Sequence, residues 1–398
     1  MAARAGALEP VSSLQIVSDS LPRPPVIDSS VRIPALDGLR GVAILLVLVW
    51  HSVFELQPQS PFLSRLLIPG RLTWSGVDLF FVLSGFLIGG ILLDVSGSRN
   101  YFKTFYLRRA YRILPLYFLV LLGFSLRFLT PRSSAGPLGS FSPSVIPWFS
   151  YLIFTQNFWM AALGSFGVGV MAATWSLAVE EQFYLTIPLV IRKLTRSRLA
   201  ILLIAVVLAA PILRTSLHLF FAHGNFADYV LLPCRADALC LGVLAALIVR
   251  TPESWQFLLS HAGVLRRTGG LLLAGVILLD FRGDQLGTPM VTVGYTWLAM
   301  FYATGLLMAA TGASPILNRF LTNSLLRRLG VLAYSTYLLN LPLMEAMRRV
   351  LGLHFEYGSS KVQFAGGILG VLLTLLVAEV SWRFLEKPLL RRGHRHQY

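Results

Sequence analysis

The sequence predicts an all-α fold, a polytopic transmembrane helical bundle of about ten spans, on three observations. Of 398 residues, 55% are hydrophobic and only 13% are charged. A soluble domain carries about 25% charged residues, so this chain cannot clothe itself in a solvated polar surface. Apolar runs of about 20 residues, the length that crosses ~30 Å of hydrocarbon, recur along most of the chain. The net charge of +16 is scattered in short clusters between those runs. It forms no single basic face or arm, so no nucleic-acid partner is expected and the charge is read as an orientation signal. The same composition excludes a soluble enzyme, a disordered protein and a disulfide scaffold.

Taken in order, residues 1–33 hold Pro, Ser and scattered charge with no apolar core, and read as a flexible cytoplasmic tail rather than a cleaved signal. Spans are expected at 38–57, 77–95, 112–129, 174–192, 199–221, 229–249, 264–281, 291–311, 329–349 and 364–386. The run 146–163 contains Pro147, Gln156 and Asn157, and counting it as a crossing would turn Arg192, Lys193, Arg196 and Arg198 outward. The positive-inside bias opposes that, so the run is expected to be re-entrant or surface-lying on the outer side, its backbone covered by protein or a water cavity. With the N-terminus inside, the inner segments hold 23 Lys and Arg and the outer segments 8. This places both termini in the cytoplasm, with residues 391–398 as a basic tail, and makes 34–390 one membrane domain in the cell (inner or plasma) membrane. Cys234 and Cys240 sit about 240° apart on one helix, which implies neither a disulfide nor a metal site.

Ionisable groups inside spans are costly and mark functional sites by default. Arg40 and His51 are 11 positions apart, about three helical turns, and share a face roughly 16 Å long. Ser84 with Gly85, Glu180, Arg235, Asp237, Asn340 and His51 all fall about 8–13 Å below the outer boundary at ~1.5 Å per residue. Five helices are thus expected to bring polar groups to one layer. Arg235 and Asp237 face about 200° apart, so each needs a partner elsewhere, and an ion pair fixing helix register is the bland alternative. Arg108, Arg109 and Arg112 open the third span. They serve either as positive-inside anchors or as a phosphate clamp, because arginine forks match phosphate oxygens.

The blocks Leu36-Asp37-Gly38-Leu39-Arg40-Gly41 with His51, Gly76 to Phe86, the Arg-rich stretch Tyr106 to Pro115, Thr174-Trp175-Ser176 to Tyr184, Arg235-Ala-Asp237, Tyr334-Ser-Thr-Tyr337-Leu-Leu-Asn340 and Glu386-Lys-Pro388 occur in this order. Together they resemble the membrane acyltransferase 3 family over about residues 34–390. The resemblance implies transfer of an acyl group, often acetyl, from a cytoplasmic acyl-CoA (acetyl-CoA) to a hydroxyl of a sugar, glycolipid or glycosylated small molecule. Similar proteins often carry a histidine at the position of Asn340, and some append a soluble hydrolase-like domain. Acceptor handling is therefore expected within the membrane part or with another protein.

On this reading His51 is the general base, since imidazole titrates near working pH and one positioned base contributes about 10²–10⁴-fold. Glu180 orients the imidazole or the acceptor, and Ser84 donates to the developing oxyanion, with Gly85 either approaching substrate or allowing close helix packing. Asp237 is a further catalytic candidate. Arg40, Arg109 and Arg112 hold the coenzyme's phosphates, Trp175, Arg235 and Asn340 contact substrate, and no metal is expected. Trp148, Phe149, Trp159 and Phe166 either stack on sugar or form an interfacial aromatic belt. The rival class is a transporter or flippase, which internal repeats would support, but the sequence shows none.

Overall fold

The computed structural model describes residues 33–54, 68–129, 146–221, 224–282, 285–350 and 360–398, and every regular element among them is helical. The expected tail 1–33 lies, apart from Ile33, outside the described residues. Ten long helices stand where the apolar runs predict them. They are α1 Pro34–Val49, α2 Gly76–Asp94, α3 Tyr101–Leu129, α4 Thr174–Lys193, α5 Arg196–Phe220, α6 Leu232–Ile248, α7 Ala262–Arg282, α8 Tyr295–Thr311, α9 Ser324–Val350 and α10 Ser360–Ser381.

Among the described residues, eight helices are long and apolar enough to cross a membrane. The other two expected spans, α4 and α9, are 20 and 27 residues long, so length does not disqualify them. They are less apolar than the eight: α4 carries Glu180, Glu181 and Gln182 mid-helix with Arg192 and Lys193 at its end, and α9 carries Asn340 with Arg327, Arg328, Glu345, Arg348 and Arg349. Most of the apolar stretch of α2 (72%) is buried inside the protein, against 11% for α7 and 17% for α10, so α2 is central while α7 and α10 present apolar side chains outward.

Two boundaries differ from expectation. Helix α1 begins at Pro34, whose missing N–H suits a first helical position, and Asp37 in its first turn complements the positive helix end. Helix α3 begins at Tyr101, not near Arg112, and its 29 residues extend about 43 Å at 1.5 Å per residue, longer than the hydrocarbon is thick. Arg108, Arg109 and Arg112 therefore lie within a regular helix rather than at its opening.

The run 146–163 folds as two short helices, Trp148–Leu152 and Gln156–Leu163, neither long enough to cross. Protein covers its polar groups. Gln156 Nε2 donates to the Thr174 carbonyl (2.9 Å), Asn157 Nδ2 to the Val230 carbonyl (3.1 Å) and Gln182 Nε2 to the Phe154 carbonyl (2.9 Å). Trp148, Phe149 and Trp159 are exposed, whereas Phe166 packs on Phe226 with ring centroids 4.5 Å apart.

Two close crossings hold the central helices in place. A Cβ added to Gly41 would stand 2.0 Å from the Leu326 carbonyl oxygen, and one on Gly330 would stand 1.8 Å from that of Asp37, so α1 and α9 meet backbone to backbone. Helices α2 and α6 meet likewise, with Gly85 against the Leu239 carbonyl (2.0 Å) and Gly242 against that of Val82 (2.2 Å). Small residues make this approach possible where helix association rests on packing rather than on the hydrophobic effect. Substituting Gly41→Val or Gly85→Val should lower the melting temperature of the purified protein and its membrane yield. The expected loss is at least the 1–3 kcal/mol typical of overpacking. Gly123→Val on α3, with nothing within 4 Å of the added Cβ, should leave both unchanged.

Candidate active site

A cavity of about 250 Å³ opens among α1, α2, α3, α4 and α9. Its wall includes Arg40, Ser84, Arg109, Arg112, Ser176, Glu180, Tyr184, Tyr334 and Tyr337. Ser176, Glu180 and Tyr184 follow at spacings of four on α4 and so stack along one helical face. Arg109 and Arg112, three apart on α3, share a face for the same reason. The Ser84 hydroxyl is hydrogen-bonded to that of Tyr184 across the α2–α4 contact.

The charges at this cavity do not balance. None of the ion pairs among the described residues uses Arg40, Arg109 or Arg112. Arg109 instead lies 5.8 Å and 5.7 Å from the ring centroids of Phe105 and Tyr184. Glu180 is the carboxylate on the wall, and the positive fields reaching it come from Arg112, Arg109 and Arg40 in that order. Asp37 lies in the field of Arg40 and Glu181 in that of Arg109, off the wall, so three guanidiniums and one carboxylate face the cavity itself, an arrangement that suits an anion with several oxygens to share.

At the far end of α1 the helix changes pitch. Trp50–Phe54 forms a π-helical turn, a distortion frequently found at functional sites, and His51 lies in it. Ser52 Oγ donates to the Leu48 carbonyl (2.6 Å), satisfying one of the acceptors at this altered turn. His51 Nδ1 is 2.7 Å from Asn340 Oδ1. The amide of Asn340 is oriented by its own helix, because Nδ2 donates to the Tyr337 carbonyl (2.5 Å) and the Thr336 carbonyl (3.3 Å). Its oxygen can only accept, so His51 Nδ1 carries the proton and the basic lone pair of the neutral ring is on Nε2. One turn back from Asn340, Tyr337 reaches the cavity wall. Its hydroxyl pairs with Ser176 Oγ at 2.5 Å and donates to the Ala173 carbonyl at 3.1 Å.

Two of the expected site residues belong to a different cluster. Arg235 and Asp237 turn to opposite sides of α6, and each finds its partner on another helix. Arg235 Nη2 bonds Asp78 Oδ1 on α2 at 2.5 Å, with the guanidinium carbon 3.9 Å from the Tyr295 ring centroid. Asp237 Oδ2 accepts from Arg214 Nη1 on α5 at 2.9 Å and from Thr296 Oγ1 at 2.6 Å. All four charged side chains are buried, and none lines the cavity. The single polar layer expected from depth is therefore two clusters. Depth along a helix sets the level of a residue, whereas rotation about the axis sets its neighbours.

Other placements differ in the same way. Trp175 is buried between Phe81 and Tyr229, at 6.0 Å and 4.6 Å between centroids, and is not on the cavity wall. Gly85 meets the α6 backbone, which gives the close-packing reading of the Ser-Gly pair. Asn340, not Glu180, holds the imidazole. Ser84 and Glu180, expected in one layer with His51 and Asn340, instead share the cavity wall with Arg40, Arg109 and Arg112, and His51 and Asn340 are not on that wall. Ser176, Tyr334, Tyr337, Asp78 and Arg214 escaped the reading as site or partner residues. The motif blocks containing the first four were the available signal, and Arg214 was visible only as a charge inside a span.

Residues 33–382 match the acyltransferase 3 family, described as an acyltransferase domain. The chain belongs to this family. It is 28% identical over 392 residues to "Putative peptidoglycan O-acetyltransferase YrhL" of Bacillus subtilis, covering 91% of this chain and 56% of that protein. It is 25% identical over 387 residues to O-acetyltransferase OatA of Staphylococcus aureus, covering 91% of this chain and 58% of the relative. The chain thus spans a little over half the length of the curated relatives it matches. No solved structure matches it. Among the described residues of this acyltransferase domain, no group of three or more His, Cys, Asp or Glu is placed to hold a metal ion.

The paired cluster behind the cavity generates a test of its structural role. Arg214→Met leaves Asp237 buried without its cation and should destabilise the protein by about 3–5 kcal/mol, the range for breaking a buried pair. Adding Asp237→Leu to Arg214→Met should recover much of that loss in a thermal unfolding assay. A double variant as unstable as the sum of the singles would contradict the pairing.

Proposed function

We propose that this chain is a multi-pass membrane O-acyltransferase that moves an acyl group, acetyl by preference, from cytoplasmic acyl-CoA to a hydroxyl of a carbohydrate-containing acceptor. The observation that carries this reading is the cluster of Arg40, Arg109 and Arg112 on one cavity wall with no ion pair among the described residues, Arg40 lying eleven residues before His51 on α1 and its π turn. The names of the two relatives support an acetyl group and, in one case, a peptidoglycan acceptor. The charge bias of the sequence supports ten crossings, with the arginine end and both termini in the cytoplasm.

In this mechanism the arginines bind the phosphates of the donor and the thioester enters the cavity toward α9. His51 Nε2 takes the proton of the acceptor hydroxyl as its oxygen attacks the thioester carbonyl. The tetrahedral intermediate expels the coenzyme thiolate, and the imidazolium returns its proton to that thiolate, leaving an ester and a free thiol. Asn340 keeps the proton on Nδ1, which is the tautomer a base at Nε2 requires. The Ser84 and Tyr184 hydroxyls supply donors for the carbonyl oxygen as it gains charge. Glu180 moderates the positive potential of the arginines so that the product thiolate can leave. Arg235, Asp237 and Trp175 support the wall from behind.

Replacing His51 with Ala should lower kcat by about 10²–10⁴-fold in membranes supplied with acetyl-CoA, the range for loss of one positioned base. Unchanged transfer would remove the base assignment. Arg109→Ala and Arg112→Ala should each weaken acetyl-CoA binding by about tenfold, equivalent to ~1.4 kcal/mol, with folding preserved. Equal affinity in these variants would return both residues to a role as topology anchors. Radiolabel from the acyl group should appear covalently on the acceptor, whereas solute crossing vesicles without ester formation would indicate transport instead.

A further inference from the structure

At the arginine end the chain folds back onto α3. The helix Lys387–Gly393 packs along it, and a Cβ added to buried Gly393 would stand 3.1 Å from Tyr111 Cβ. Past this helix the backbone is pinned at two carbonyls. Arg108 donates to the His396 carbonyl from Nε (3.0 Å) and Nη2 (2.6 Å), and Thr104 Oγ1 donates to the Gln397 carbonyl (2.8 Å). The His396 ring stacks on Tyr111, with centroids 6.0 Å apart and planes 23° apart, and the Arg108 guanidinium lies 4.7 Å from the Tyr398 ring centroid. Arg391, Arg392 and Arg395 are exposed on the same segment. Burial, and then the charges of Arg108, Arg112 and Arg109, lower the pKa of the His394 imidazole, so this segment shares the field of the two arginines on the cavity wall. The mechanism above uses none of these tail residues.

The size of the cavity says what must lie outside it. At about 250 Å³ it falls below the ~300–1,000 Å³ of pockets that enclose a drug-sized ligand, and a nucleotide-bearing thioester is larger still. The cavity can take the acyl group and the slender pantetheine arm, which leaves the phosphorylated nucleotide at the arginine end. What that end presents is the Tyr111–His396 stack and the Tyr398 ring beside the Arg108 guanidinium, with Arg391, Arg392 and Arg395 exposed on the same twelve residues. A base stacks on such faces, and phosphates take bidentate hydrogen bonds from guanidiniums.

Resting on the reading of the donor as acyl-CoA, we propose that residues 387–398, with Arg108 and Tyr111, form a rim that binds the nucleotide of the donor. Arg391, Arg392 and Arg395 contact its phosphates, and the rings of His396 and Tyr398 receive its base. The rim makes the enzyme selective for coenzyme A thioesters over the same acyl group on a bare pantetheine arm.

The test is titration of the purified full chain in lipid nanodiscs with acetyl-CoA, acetyl-pantetheine and adenosine 3′,5′-bisphosphate. The wild type should bind acetyl-CoA at least tenfold more tightly than acetyl-pantetheine and should bind the bisphosphate alone. The triple variant R391A/R392A/R395A and Tyr398→Ala should each weaken acetyl-CoA and bisphosphate binding about tenfold. Their affinity for acetyl-pantetheine should change less than twofold, and Tyr398→Phe should retain wild-type affinity. Equal wild-type affinity for the two thioesters, or rim variants with unchanged acetyl-CoA affinity, would overturn the proposal and leave these arginines as bilayer anchors. If Arg109→Ala weakens acetyl-CoA while the rim variants do not, the rim alone fails. If the wild type binds neither thioester, the donor reading fails and the rim with it.

Discussion

A guanidinium inside an apolar bundle needs either a carboxylate or a reason to lack one, and this chain contains both solutions side by side. Arg214 and Arg235 are buried against Asp237 and Asp78, with further hydrogen bonds from Thr296 and to backbone carbonyls. Arg40, Arg109 and Arg112 share a cavity wall with a single carboxylate, Glu180, and form no ion pair among the described residues. Removing an ion from water is expensive, so an uncompensated cluster persists only where solvent or a ligand anion reaches it. The contrast between the two clusters separates the groups that hold the helices together from the groups left open to a substrate.

The open cluster is useful only if the helices bearing it keep their rotation. Backbone contact at Gly41 and Gly330 sets α1 against α9, and contact at Gly85 and Gly242 sets α2 against α6. These crossings aim Arg40 and Ser84 at the same cavity, while the Arg235–Asp78 pair locks α2 and α6 from behind. The π turn at Trp50–Phe54 then departs from the regular pitch of α1, and this is where His51 meets Asn340 on α9. An amide in place of a second imidazole narrows the chemistry at this position. It cannot take up a proton, but with its nitrogen committed to two backbone carbonyls it selects one tautomer of the ring.

Ordering inside the cavity also follows from helical period. Ser176, Glu180 and Tyr184 form a ladder down α4, and Tyr337 and Tyr334 line the same cavity from α9, so hydroxyl and carboxylate groups stand on one wall with the guanidiniums. A thioester entering among the arginines would pass only side chains able to donate to its carbonyl oxygen or position its acyl group. The short helices of 146–163 sit beside this assembly with the side-chain amide nitrogens of Gln156 and Asn157 donating to the Thr174 and Val230 carbonyls.

By itself the sequence determined the helical class, the positions of the ten long helices, the lack of one long helix over 146–163 and the shared face of Arg109 and Arg112. Apolar run length, charge bias and spacing of three or four along a helix are properties of the chain read in one dimension. Only the tertiary structure decided that Arg235 and Asp237 are paired away from the cavity, that Trp175 is packed among aromatic rings, that Asn340 rather than Glu180 holds His51, and that α3 begins eleven residues before the expected span. Each of these depends on the rotation of one helix relative to another and on the distance at which their backbones cross. Level along the helix axis is written in residue number; which neighbour a side chain meets at that level is settled by packing, because a glycine at a crossing or a single buried ion pair can turn a whole helix face.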